Sequence, residues 1–159
     1  MLEKYIKAAL KEVDCDLVLK DASFVDVFEG DIKVGDIEIT DDRIVGIGSY
    51  KGKKEINAKG KVVIPGLIDG HVHIESSQAT PEEFASMIVP HGTTTIIADP
   101  HELANVLGVN GVKYVIEASK NVPLDIKVQL PSCVPATPFE TSGAVLGSKD
   151  IADNLVNPE

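Results

Sequence analysis

The 159-residue chain carries 25 Asp and Glu against 15 Lys and Arg, a formal charge of -10, and 43% of it is hydrophobic. With a mean hydropathy of +0.08 and an isoelectric point near 4.8, it has a foldable composition and lacks the basic footprint that nucleic acid or an anionic membrane requires. Cys15 and Cys133 lack CxxC spacing and can form at most one bridge, which excludes a disulfide framework. No apolar run reaches the roughly 18 residues of a membrane span. The opening MLEKYIKAALKEVD mixes Lys and Glu where a signal peptide would be apolar. The expectation is a cytoplasmic protein with no nucleic-acid and no membrane partner.

Ile6, Ala9, Leu10 and Val13 recur at helical spacing while Lys4, Lys7, Lys11 and Glu12 take the opposite side, so residues 1–14 are expected to form an amphipathic helix of about three turns. After Asp14 the period falls to two in DLVLKDASFVDVF, DIEITDDRIVGIG and EINAKGKVVIPG. Turn chemistry at Gly30-Asp31, Gly35-Asp36 and Asp41-Asp42 separates these runs, predicting an antiparallel β-sandwich or sheet segment over residues 15–63.

Beyond Val62 apolar strands alternate with helices, a pattern that requires right-handed crossovers and a parallel sheet. Three parallel strands are predicted, near 62–73, 93–99 and 126–131. Between the first two, Thr80-Pro81-Glu82-Glu83 has the order of a capping box with proline at the first helical position, opening a helix to about Val89. The segment ELANVLGVNGVKYVIEASK is helical by period, with Gly108 and Gly111 expected to divide it. A Pro, Ser and Thr-rich loop, PSCVPATPFETSGA, follows the third strand, and SKDIADNLV reads as a last short helix. Residues 64–159 thus read as the first three β/α units of an incomplete barrel.

The chemistry-bearing residues begin with His71 and His73 at the end of the first β/α strand. Side chains at i and i+2 of a strand share a face, so the two imidazoles are placed to hold one divalent ion. Alternating histidines also occur on exposed strands by chance, but the buried run VVIPGLIDG before this pair argues against a solvated surface. Asp99, His101 and Glu102 stand at the end of the second strand, where they can bind metal, position a substrate nitrogen or move a proton. A structural alternative stays open: Asp99 caps the next helix and Glu102 favours its N-terminal dipole end. Glu75, Ser76 and Ser77 can bond substrate or outer-sphere water, or be ordinary loop residues. His91 reads as a helix C-cap, Cys133 as a pocket-lining or buried thiol, and Cys15 as structural.

The run VIPGLIDGHVHIES resembles the first barrel strand of the amidohydrolase superfamily, metal-dependent hydrolases on a (β/α)8 TIM barrel with a small β-sandwich. HIESSQATPEEFA, HGTTTIIADPHELANVLG and LPSCVPATPFETSGA together resemble its adenine deaminase branch. The resemblance implies an α/β chain, the N-terminal part of a (β/α)8 barrel preceded by a β-sandwich segment. It also implies hydrolysis of adenine to hypoxanthine and ammonia by metal-activated hydroxide, with His71 and His73 as metal ligands. The implied metal is manganese or iron, binuclear in the complete enzyme; residue spacing alone does not choose between these and zinc.

A complete barrel of this type needs about 250 residues. The chain is therefore expected to be an N-terminal portion, inactive alone, stopping at Asn157-Pro158-Glu159 ahead of a fourth strand. Its expected partners are adenine, further copies of itself or the missing C-terminal part. Three alternatives stand beside this reading: a non-catalytic remnant, the partner-binding half of a split enzyme, and another amidohydrolase such as a cyclic amide hydrolase.

Overall fold

The computed structural model describes residues 2–155, which divide into two units meeting between Pro65 and Gly66. Val156 of the expected last helix, and the expected stop at Asn157-Pro158-Glu159, lie outside the described residues.

The first unit opens with α1 (Leu2–Ala9), in which Glu3 in the first turn pairs with Lys7 in the last at 2.7 Å. The helix is shorter than the 14 residues expected. Lys11 adopts a left-handed φ of 63°, and the Glu12 N–H reaches back to the Lys7 carbonyl at 2.9 Å. This closure of a helix end satisfies carbonyls that one more turn would have used. The following strands are β1 (Cys15–Asp26), β2 (Asp31–Thr40), β3 (Arg43–Gly48), β4 (Gly52–Asn57) and β5 (Val62–Val63).

These five strands form a single sheet in the order β3-β2-β1-β4, with β5 also on β1. The sheet is mixed rather than antiparallel. β1–β2 and β2–β3 are antiparallel, whereas β4 and β5 run parallel to β1. Alternation fixes which face a strand buries, not which neighbour it pairs with. Here the Lys51 carbonyl accepts both the Cys15 N–H at 3.3 Å and the Cys15 thiol at 3.0 Å, which starts β4 alongside β1. Ala22, Phe24, Ile37 and Ala58 make the core of this unit.

The second unit is built on a parallel sheet, β6 (Leu67–Val72), β7 (Thr93–Ala98) and β8 (Asp125–Val128), in the order β6-β7-β8. The parallel pairing agrees with the alternation of strands and helices. The first strand starts later than expected because Val62 and Val63 pair with β1 instead. Between β6 and β7 lies α2 (Pro81–Ile88), whose Thr80 and Glu83 form the capping box: Glu83 N–H donates to Thr80 Oγ1 at 3.3 Å, and Thr80 N–H to Glu83 Oε2 at 3.1 Å. His91 ends the short 3₁₀ turn that follows, and Gly92 closes it with a left-handed φ of 99°.

The stretch after β7 splits into α3 (His101–Leu107) and α4 (Val109–Ala118), broken at Gly108. Gly111 does not divide the helix. It lies inside α4, where a Cβ would sit 2.6 Å from the Leu103 carbonyl oxygen, so glycine there permits α4 to approach α3. Ile74, Ala85, Ile96, Ala98, Val115 and Leu124 form the main core. A second cluster of Ala104, Val112, Val134 and Leu146 holds the long loop after β8 against α3 and α4. The Asn105 carbonyl anchors the same loop by accepting from Gly143 and Ala144 N–H at 2.8 and 3.0 Å. The last helix is α5 (Ser148–Asn154).

Candidate metal centre

At its C-terminal end β6 pairs Val72 with Ala98 of β7, and the Asp99 N–H donates to the Val72 carbonyl at 2.9 Å. Val72 packs toward the core, so His71 and His73 on either side of it share the other face. Their Nε2 atoms are 3.1 Å apart. His73 is further constrained: its Nδ1 lies 2.8 Å from the Asp99 carbonyl oxygen. A carbonyl only accepts, so Nδ1 carries a proton, and Nε2 is the ring nitrogen left to face His71.

Two other short elements complete the cluster. Asp99 and Pro100 form the corner between β7 and α3, and His101 and Glu102 occupy the first turn of α3. Asp99 Oδ2 lies 3.4 Å from His101 Nδ1 and 4.0 Å from His71 Nε2. Glu102 Oε2 lies 3.4 Å from His73 Nδ1 and 3.9 Å from His101 Nε2. Two donor sets result, His71–His73–Asp99 and His73–His101–Glu102, each with its ligand atoms within 4.8 Å of one another. They share His73. Because its Nδ1–H is committed to the Asp99 carbonyl, the free Nε2 favours the first set.

The donor chemistry fits a divalent cation. Two ligands bound at about 2.0–2.1 Å stand roughly 3 Å apart at ordinary coordination angles, which matches the Nε2–Nε2 separation. Asp99 Oδ1 and Glu102 Oε2 are buried and have no hydrogen-bond partner among the described residues, an arrangement that costs free energy unless a cation or donor meets them. Two histidines alone leave such an ion short of ligands. The fold brings a carboxylate and a third imidazole within reach.

The remaining sequence candidates sort by geometry. Asp99 does not cap α3: the N-cap position is Pro100, and no side chain of that residue bonds the helix. Glu75 instead accepts the Leu103 N–H at 3.3 Å from across the unit. Ser76 Oγ donates to Glu102 Oε1 at 3.2 Å, and Ser77 Oγ turns away to donate to the Ile74 carbonyl at 2.6 Å. His91 belongs to its turn and takes no part in either donor set. Cys133 is exposed rather than buried, and Cys15 is buried; both are free thiols. The Asp99 backbone carbonyl and the capping action of Glu75 were not visible in the sequence, since both depend on which segments the sheet brings together.

Residues 62–157 match the model of the Amidohydrolase family. Over 160 residues the chain is 50% identical to an adenine deaminase of Halalkalibacterium halodurans, covering 99% of this chain and 27% of that protein. It is 54% identical over 152 residues to an adenine deaminase of Clostridium acetobutylicum, covering 96% of this chain and 27% of the relative. The chain therefore spans about a quarter of the length of these curated relatives. Among solved structures it is similar to an N-acyl-D-glutamate deacylase from Bordetella bronchiseptica, complexed with zinc and a phosphonate inhibitor. That match has a TM-score of 0.57 and 16% identity over 77% of this chain and 30% of the other. A D-aminoacylase studied for its binuclear metal centre gives a TM-score of 0.57 at 18% identity, over 76% of this chain and 30% of the other. These structural likenesses speak for the fold alone. No helix among the described residues is long and apolar enough to cross a membrane.

Proposed function

The chain belongs to the amidohydrolase family, and from that premise we propose that it is a portion of an adenine deaminase, which hydrolyses adenine to hypoxanthine and ammonia. The observation that carries this reading is the convergence of His71 and His73 Nε2 atoms beside Asp99, in a chain half-identical to named adenine deaminases. His71, His73 and Asp99 would hold a divalent cation, manganese or iron, with a second ion in the complete enzyme. A bound cation would supply Lewis acidity, lowering the pKa of a water toward neutrality.

The chain's own residues prepare that chemistry. The Asp99 carbonyl holds the His73 ring so that its lone pair faces His71. Glu102, fixed by Ser76 through one oxygen, keeps the other free beside His73 and His101, placed to accept a proton or to bond a ring nitrogen of the base. His101 stands between the two carboxylates, 3.4 Å from Asp99 and 3.9 Å from Glu102, which suits it to passing a proton between them. The chain is proposed to work in the cytoplasm, where its two free thiols stay reduced, and to associate with further copies or with the remaining barrel strands.

Ammonia release from adenine tests the reading. The Mn²⁺-loaded chain alone is expected to release none. Mixed with the portion of the Clostridium acetobutylicum enzyme outside the match, it is expected to release ammonia, and His71→Ala or His73→Ala should abolish that release. A reconstituted complex that hydrolyses a cyclic amide and leaves adenine untouched would overturn the substrate assignment.

A further inference from the structure

We propose that Glu75 is a positioning residue for the ligand face of His73, acting through the start of α3. The inference rests on the reading of His71 and His73 as cation ligands. α3 has seven residues, ends at Gly108, and begins behind Pro100 with no side-chain cap of its own. So short a helix has little internal cooperativity to hold its first turn, whose N–H groups lack partners within the helix. Glu75 Oε1 supplies one, accepting the Leu103 N–H at 3.3 Å from 28 residues earlier in the chain. The next residue, Ser76, ties the same turn through Glu102 Oε1 at 3.2 Å.

These two bonds join the turn after β6 to the first turn of α3 and so hold the corner on which Asp99 sits. The Asp99 carbonyl at that corner receives the His73 Nδ1–H at 2.8 Å. A fixed acceptor on Nδ1 keeps the neutral imidazole in the tautomer whose Nε2 is bare, and that Nε2 faces His71 Nε2 at 3.1 Å. Removing the Glu75 carboxylate frees the Leu103 N–H, loosens the corner, and lets His73 change tautomer or rotate. Glu75 thus acts on the cation site without being one of its ligands.

The 159-residue chain is titrated with Mn²⁺ alone by calorimetry as wild type, Glu75→Ala, Glu75→Gln and Thr80→Ala, and the His73 tautomer is read from its nitrogen-15 shifts in the metal-free chain. Glu75→Ala is expected to weaken Mn²⁺ binding about tenfold, the lower end for loss of such an outer partner, and to mix the two tautomers. Glu75→Gln keeps an oxygen acceptor for Leu103 and should restore both. Thr80→Ala removes the capping box of α2 and should leave both unchanged. If Glu75→Ala unfolds, Glu75→Asp, with its carboxylate one methylene short of Leu103, gives the same readout. Wild-type affinity with a pure Nδ1–H tautomer in Glu75→Ala overturns the proposal, as does an equal loss in Thr80→Ala. A wild-type chain that takes up no Mn²⁺ defeats the cation reading instead, and the tautomer then decides the positioning role by itself.

Discussion

Each of the two units holds a pair of carboxylates, buried in the first unit and half-buried in the second, and the pairs sit in different company. In the first unit Asp36 and Glu38 lie on β2. Burial, the largest single influence on Asp36, opposes its ionisation, but hydrogen bonds from the Lys20 ammonium and the Asp21 N–H together outweigh it and hold the carboxyl below its ordinary value. Glu38 has no cation hydrogen-bonded to it among the described residues: burial pushes its carboxyl up against the weaker opposing influence of the Cys15 thiol and Lys11, and Oε2 has no partner among the described residues. In the second unit Asp99 and Glu102 also carry partnerless buried oxygens, but three imidazoles surround them. An unpaired buried oxygen on a sheet is a cost the fold carries. Beside converging nitrogen donors, the same feature suits the cation proposed there.

The largest expected effect belongs to the second unit. His73→Ala removes the residue common to both donor sets, and Mn²⁺ affinity measured by calorimetry should fall by more than about 100-fold, beyond the 10–100-fold typical of outer partners. Asp99→Asn keeps the backbone carbonyl on His73 while removing the charge of a proposed ligand, and should cost about tenfold. Unchanged affinity in either variant would erase the contrast between the two carboxylate pairs.

In the first unit the expected effects are on stability. The lowered Asp36 value contributes stability that is present above the ordinary aspartate value of about 3.9 and lost as pH falls through the lowered one. Lys20→Met leaves a buried carboxylate without its cation, so its melting temperature should drop near about pH 7, with the deficit shrinking once the pH passes below about 4 and Asp36 protonates. Glu38 has the opposite sign. Its raised value favours the folded state below the ordinary glutamate value of about 4.3, and that advantage is lost as pH rises through the raised value. Glu38→Gln cannot ionise, so it should melt above the wild type at about pH 8 and converge with it below about pH 4. The smallest effect is on thiol reactivity. Burial, reinforced by Glu38, pushes the Cys15 thiol up to about 11, so a disulfide reagent at about pH 8 should label exposed Cys133 quickly and Cys15 only after denaturant is added.

Much of the second unit could be read directly from residues close in sequence. The Thr80–Glu83 capping box, the β-branched strand at Thr93–Ala98 and the shared face of His71 and His73 are all set within a few positions, where φ/ψ preference and side-chain period act. Misreadings came where distant segments meet. Gly111 looks like a helix breaker until the Leu103 carbonyl is found against it. The period-two runs of β1 to β4 look antiparallel until Lys51 is seen to seat β4 beside β1. Whether Asp99 caps α3 stays open in the sequence, and the role falls to Glu75, 28 positions before the bond's other end.

The sequence by itself determined the strand and helix order, the parallel sheet and the two strand-end histidines, because hydrophobic period and capping are local and leave their mark in neighbouring residues. The tertiary structure decided which nitrogen of His73 is free and which bonds hold Asp99 and Glu102, already candidates at the strand end, beside it. Those outcomes depend on hydrogen bonds between β6, the corner at Asp99 and the first turn of α3. These segments meet only when the sheet forms, and their spacing along the chain carries no trace of that meeting.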